Sequence, residues 1–178
     1  FSTENWKRPA EEVSGIFKLL VLYVRKEIRE LNENNVVVNI FGDRTLLPAD
    51  AEFEVQRAID TTSGNSGLRF NIALNYGGRA EIVRATRALC KDVQDGILSC
   101  EDIDETCLSR KMYTKYAPDP DVIIRTGGEY RLSNFLIWQA AYSELVVTDV
   151  LWPDFTPEEY EKALIIYQMR DRRFGGIK

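Results

Sequence analysis

Histidine is absent from the 178 residues. Without an imidazole, Ser-His and Cys-His nucleophilic pairs and histidine zinc sites are excluded. Any catalysis must use carboxylates, arginines, hydroxyls, amides or a metal held by oxygen. Cysteine is scarce, and Cys90, Cys100 and Cys107 are odd in number with no Cys-x-x-Cys spacing. That pattern fits reduced cytosolic thiols in an inert role and speaks against a disulfide frame or a cysteine zinc site. No apolar run reaches the roughly 18 residues of a membrane-spanning helix, and Leu19 to Val24 is flanked by charge. A soluble chain is predicted. Internal repeats, low-complexity tracts and linkers are missing too, so a single domain over residues 1–178 is expected. The chain opens on Phe1 without a methionine, a signal peptide or a helix-start signal, and it reads as entered in mid-fold.

What is present is core-forming material: a composition 44% hydrophobic and 11% aromatic can bury a sizeable interior. The net charge of -5 argues against a nucleic-acid partner while leaving a local basic site open.

Pro9 followed by two glutamates opens a helix that runs to about Glu33. Its apolar positions follow the helical period, but Leu19, Val21 and Leu22 add apolar side chains on other faces, which predicts an enclosed middle. The helix is read either as a core helix or as the wall of an apolar cavity. Val36–Phe41 and Leu68–Leu74 read as strands, with a helix over Asp50–Thr62 between them. Further helices are expected over Ala80–Val93 and within Glu101–Tyr116. Pro118-Asp119-Pro120 then breaks the chain before a strand at Asp121–Ile124. A helix around Asn134–Tyr142, a strand near Leu145–Thr148 and a last helix opened by Thr156-Pro157 complete the pattern.

Alternating strands and helices predict an α/β fold with a largely parallel central sheet flanked by helices. Ligands in such sheets sit beyond the carboxyl ends of strands, where the Gly-Gly turns after Leu74 and Ile124 fall. The segment Arg125 to Asn134 holds two arginines, two aliphatic hydroxyls and adjacent glycines between a strand and an expected helix. It reads either as a phosphate cradle lacking a Walker lysine or as a capped turn with surface arginines. Phe1 to Pro9 gathers a hydroxyl, an amide, an indole and Arg8, and reads either as a ligand-contacting segment or as an N-cap with a hydrophobic staple. Asn75 to Arg79 is an anion loop or a structural turn. Glu144 is an oxygen ligand for magnesium or a solvated carboxylate, and Arg170, Arg172 and Arg173 suit the negative end of the last helix.

The strings FSTENWKRPAEEV (1–13), NIALNYGGRAEI (71–82), DVIIRTGGEYRLSNFLIWQAAYSEL (121–145), TDVLWPDF (148–155) and RDRRFGG (170–176) resemble the signature regions of cis-prenyltransferases. That family includes undecaprenyl diphosphate synthase. The resemblance implies a magnesium-dependent enzyme that condenses isopentenyl diphosphate onto an allylic diphosphate such as farnesyl diphosphate, each new double bond being cis. It implies an apolar tunnel in the fold for the growing chain. By the same resemblance Arg125, Arg131 and Ser133 hold the diphosphate of isopentenyl diphosphate, and Glu144 binds Mg2+. Ser2 and Asn5 stand near the proton that leaves, with Asn5 or a bound water as its acceptor. Thr3, Glu4, Trp6, Arg8 and Leu132 are implied substrate-binding positions in the matched segments, and Val36 and Leu68 lie near the tunnel floor. No insertion between Val13 and Asp43 separates the chain from medium-chain synthases, which implies a product of their length. A homodimer with cytosolic catalysis, and peripheral membrane contact where the lipid product leaves, is also implied.

The family's Asp-Gly-Asn-Gly-Arg loop, which supplies a magnesium-binding aspartate, is not among these residues. It is expected upstream of Phe1 together with the family's first strand and helix, so residues 1–178 as printed are expected to show little catalysis. Two competing readings remain. A non-catalytic accessory subunit of a heteromeric synthase would tend to lose the diphosphate-binding arginines, yet Arg8, Arg125 and Arg131 are all here. A generic phosphate-binding module would show no preference for isoprenoid diphosphates.

Overall fold

Pro9 presets the backbone angle at the mouth of α1 (Ala10–Glu33), and Glu11 and Glu12 in its first turn favour the positive end of the helix dipole. Val13, Phe17, Val21 and Ile28 recur at helical spacing and form its buried stripe. They pack against Ala51, Val55 and Ala58 of α2 (Ala49–Thr62), with Leu47 and Leu74 completing the core. The structure is a computed structural model that describes residues 1–170.

β1 (Val37–Phe41) and β2 (Arg69–Ala73) pair in parallel, Val37 opposite Arg69 and Phe41 opposite Ala73. Parallel neighbours need a crossover, and α2 provides it. At the carboxyl end of β1 the backbone of Gly42 passes so close to β2 that a Cβ would lie 1.8 Å from the Leu74 carbonyl oxygen. Only glycine fits there. α3 (Gly78–Gln94) follows β2 and packs on α4 (Glu105–Lys111). These elements form one compact unit, Phe1–Tyr116.

The second unit starts at Ala117, immediately before Pro118. In it β3 (Val122–Arg125) pairs in parallel with β4 (Glu144–Val147), Val122 opposite Glu144, and α5 (Pro157–Gln168) packs on β4.

The α/β fold with parallel strands flanked by helices is as the sequence predicts. The parallel pairing is divided, however, into two pairs, β1 with β2 and β3 with β4. A second departure lies between β3 and β4. The helix expected around Asn134–Tyr142 is only a 3-10 turn at Gln139–Tyr142. Ser133, Asn134 and Leu136 take φ of 49°, 64° and 47°, and left-handed backbone at successive positions stops a right-handed helix from forming. Third, the middle of α1 is not enclosed among the described residues: Leu19, Leu22 and Tyr23 are each more than half exposed, opposite the buried stripe. Arg172 and Arg173, and with them most of the RDRRFGG string, lie outside the described residues.

Candidate active site

In the first unit, residues 1–3 lie along the end of β2 as a short parallel extension. The Phe1 nitrogen donates to the Ala73 carbonyl (2.9 Å), Tyr76 N to the Phe1 carbonyl (3.2 Å) and Thr3 N to the Tyr76 carbonyl (3.0 Å). The chain then winds into a 3-10 turn, Thr3–Lys7, in which Ser2 N donates to Asn5 Oδ1 at 2.7 Å. Ser2 and Asn5, paired by sequence resemblance, are therefore in contact. Thr3 Oγ1 donates to Glu4 Oε2 (3.1 Å) at the surface, and exposed Arg8 pairs with Glu12 one helical turn on.

Trp6 is anchored on three sides. Its ring stacks on Phe17 (centroids 5.5 Å apart, 26° between planes) and meets Phe1 edge-on (5.0 Å, 78°). Its indole N–H donates to Asn75 Oδ1 at 2.7 Å. Asn75 is the first residue past Leu74; it is buried, has φ of 47°, and its amide donates in turn to the Asp43 carbonyl at 2.8 Å. The adjacent Tyr76 hydroxyl donates to Glu81 Oε2 (2.7 Å), while Glu81 Oε1 accepts from Tyr113 N (2.6 Å). Burial pushes the Tyr113 phenol above its ordinary range. The Thr45 hydroxyl and amide, both donating to Asp43, hold that carboxyl below the usual carboxylate range.

Trp6 lines two cavities. One, about 360 Å³, lies between α1 and the start of α2 and is bounded by Arg8, Val13, Phe17 and Pro48. The other, about 580 Å³, lies at the carboxyl ends of β1 and β2 and is bounded by Thr3, Asp43, Asn75 and Arg84. Val36 and Leu68, expected at a tunnel floor, line neither. Their backbones meet, Val37 N donating to the Leu68 carbonyl at 2.8 Å, but Val36 packs inward where α1 turns into β1 and Leu68 is 72% exposed.

In the second unit, Arg125 ends β3. Its Nε is buried and has no hydrogen-bond partner among the described residues. Arg131 is exposed and paired with Glu129, Leu132 is half-buried, and Ser133 is exposed with left-handed backbone. Of the cradle and the capped turn that the sequence leaves open, the backbone amides of Gly127 and Gly128 fit the turn. They donate to the carbonyls of Val150 (3.0 Å) and Thr148 (2.9 Å), tying this loop to the end of β4. Gly128 lies so close to Asp149 that a Cβ would come within 2.8 Å of its carboxylate. With no α-helix following, the loop has no helix dipole either. An anion here is left to the guanidinium groups and hydroxyls.

Glu144 is the half-buried first residue of β4, its backbone N donating to the Asp121 carbonyl at 3.0 Å. Among the described residues no three carboxylate, thiol or imidazole side chains converge as a metal site. One carboxylate does not cage a cation. It does suit magnesium that completes its oxygen shell with water and diphosphate.

The sequence reading left Asn75 between an anion loop and a turn, and passed over Asp43, Glu81 and Tyr113. An asparagine just past a strand and before Tyr-Gly-Gly signals left-handed backbone. Nothing local signals its bond to an indole 69 residues away.

The family described as "Putative undecaprenyl diphosphate synthase" matches residues 1–175. An isoprenyl transferase of Clostridium tetani is 52% identical over 177 residues, 99% of this chain and 69% of that protein. The crystal structure of lavandulyl diphosphate synthase from Lavandula x intermedia, in complex with dimethylallyl diphosphate, superposes with a TM-score of 0.96 at 34% identity, covering 98% of this chain and 76% of that one. A probable undecaprenyl diphosphate synthase from Campylobacter jejuni superposes with a TM-score of 0.86 at 31% identity, covering 98% and 80%. The chain belongs to the undecaprenyl diphosphate synthase family, the cis-prenyltransferases.

Proposed function

We propose that the protein transfers isopentenyl units in cis configuration onto an allylic diphosphate such as farnesyl diphosphate, making a medium-chain polyprenyl diphosphate. The observation that carries the diphosphate site is the buried Nε of Arg125, which has no partner among the described residues. A guanidinium N–H away from water with no acceptor is costly, and an anionic ligand relieves that cost. Arg131 and Ser133, a few residues along the same loop, supply further donors, and Arg8 supplies a cation in the first unit.

In the reaction the allylic C–O bond breaks and diphosphate leaves. A carbon–carbon bond forms to the isopentenyl unit, and that unit loses a proton as its double bond moves. Asn5 and Ser2 stand at the proton. Asn5 Oδ1 already accepts the Ser2 N–H, and a carboxamide oxygen is a weak base, which favours a water held by Asn5 as the acceptor. Thr3, Glu4, Trp6 and Leu132 frame the substrates. The apolar wall for the growing chain comes from the exposed face of α1, with Leu19 and Leu22. Magnesium, when bound, offsets diphosphate charge, and Glu144 is its proposed ligand. We assign catalysis to the cytosol and to a homodimer, with peripheral membrane contact for product release. Among the described residues no helix is long and apolar enough to cross a membrane.

Replacement of Arg131 by Ala should weaken binding of isopentenyl diphosphate by about 1.5–3 kcal/mol, the loss of one charge-assisted contact. Isothermal titration calorimetry on the protein as translated measures it, and unchanged affinity would remove Arg131 from the site. Offering dimethylallyl diphosphate beside farnesyl diphosphate tests primer choice, since the lavandulyl diphosphate synthase structure holds the shorter one.

A further inference from the structure

We infer that Asn75 is a positioning residue that fixes Trp6, and through it the Ser2–Asn5 turn, in the geometry for prenyl transfer. The inference rests on the function proposed above and adds a residue to its site.

Asn75 is 4% exposed and sits in left-handed backbone, φ 47°, where asparagine is tolerated and most side chains are strained. Both ends of its amide are used. Oδ1 accepts from Trp6 Nε1 at 2.7 Å, and Nδ2 donates to the Asp43 carbonyl at 2.8 Å. The backbone oxygen of Asn75 also accepts from Asp43 N at 3.3 Å. Asn75 thus fastens three segments together at the carboxyl ends of β1 and β2: its own, the Asp43 loop and the segment that begins at Phe1.

The indole has a single donor and no acceptor, so this one bond fixes its rotation within the plane of its stack on Phe17. Trp6 borders two cavities of this unit, one beside Val13 and Phe17 and the other beside Asp43 and Arg84, and so acts as the partition between them. It also follows Asn5 directly in the same 3-10 turn. Release of the indole therefore moves the partition and frees the turn that presents Asn5. Displacement of a reacting group by about 1 Å can lower a rate on the order of a hundredfold without removing any contact to substrate.

The substitutions N75G, N75D and W6F separate positioning from folding. Glycine keeps the left-handed backbone and deletes both side-chain bonds. Aspartate keeps an acceptor for the indole. Phenylalanine at position 6 keeps an aromatic ring and deletes the donor. On the protein as translated, kcat and KM for isopentenyl transfer are read together with the hydrogen-exchange protection of the Trp6 indole N–H by nitrogen-15 NMR, with Trp138 and Trp152 as internal controls.

The expected result for N75G is loss of protection at Trp6 alone, a fall in kcat of roughly ten- to a hundredfold, and a KM for isopentenyl diphosphate within about twofold of wild type. N75D retains protection and most of kcat, and N75G adds nothing further in a W6F background. Should N75G fail to fold, W6F deletes the same bond from the other side, and its loss of kcat at unchanged KM is read in its place. Unchanged kcat in N75G with the indole released would overturn the inference, as would equal losses in N75G and N75D with the indole still protected. A wild-type protein inactive toward every diphosphate offered would overturn the proposed function, whereas an active wild type beside an unaffected N75G overturns the positioning role alone.

Discussion

Arg125 and Asp43 show how single side chains carry opposite signatures of ligand and fold. Because the buried Nε of Arg125 has no acceptor among the described residues, Arg125→Met should lose affinity for isopentenyl diphosphate yet leave the ligand-free protein at least as stable as wild type. Removing an unsatisfied donor costs nothing in the absence of the ligand. Denaturant titration with and without isopentenyl diphosphate measures both, and a marked loss of ligand-free stability would mean that the group already has a partner. Asp43 is the reverse case, its carboxylate satisfied by Thr45. Its folded pKa lies below the ordinary value, so its contribution to stability is present above the unfolded pKa of about 4 and is lost as pH falls through the folded pKa. Asp43→Asn, which keeps an acceptor without the charge, should be less stable than wild type at neutral pH. The difference should vanish once pH falls below the folded pKa, and a deficit independent of pH would rule out charge as its source.

Among the elements, the helix–strand alternation of the first unit was legible because each segment obeys a local rule. The α1 stripe, the β-branched strands and the glycine turns all agree with the packing they meet. The junction of α2 with β1 shows what such rules cannot reach. Thr62 is wholly buried, donates to the Ala58 carbonyl (2.8 Å), and its hydroxyl also accepts the N–H of Val38 (3.0 Å). Thr62→Val keeps the shape and strands that N–H, so it should cost about 1–3 kcal/mol in a thermal or denaturant melt; a neutral result would mean that water replaces the hydroxyl. Residues 125–134 suit a phosphate cradle and a capped turn equally by composition, and the helix expected at Asn134–Tyr142 does not form. The amides of Gly127 and Gly128 are bound just past the end of β4, a partner some twenty residues on that no local pattern announces.

For the whole molecule, the proposed site residues belong to both units, Ser2, Asn5, Trp6 and Arg8 to the first and Arg125, Arg131, Ser133 and Glu144 to the second. These roles are proposed through the resemblance of long strings to a family, because arginines and a lone glutamate have surface roles that composition cannot separate from binding ones. The tunnel-floor assignment of Val36 and Leu68 rests on that resemblance alone; their backbones meet across the two strands, with Val36 buried and Leu68 exposed. A protein with an excess of five negative charges can still hold two diphosphates if the cations are local. Chain elongation tests this account most directly. The protein is incubated with magnesium, farnesyl diphosphate and labelled isopentenyl diphosphate, and its products are separated by length. The account predicts a ladder of cis-polyprenyl diphosphates ending at medium length. No product from the translated protein would contradict the enzyme assignment and favour an accessory subunit of the same fold.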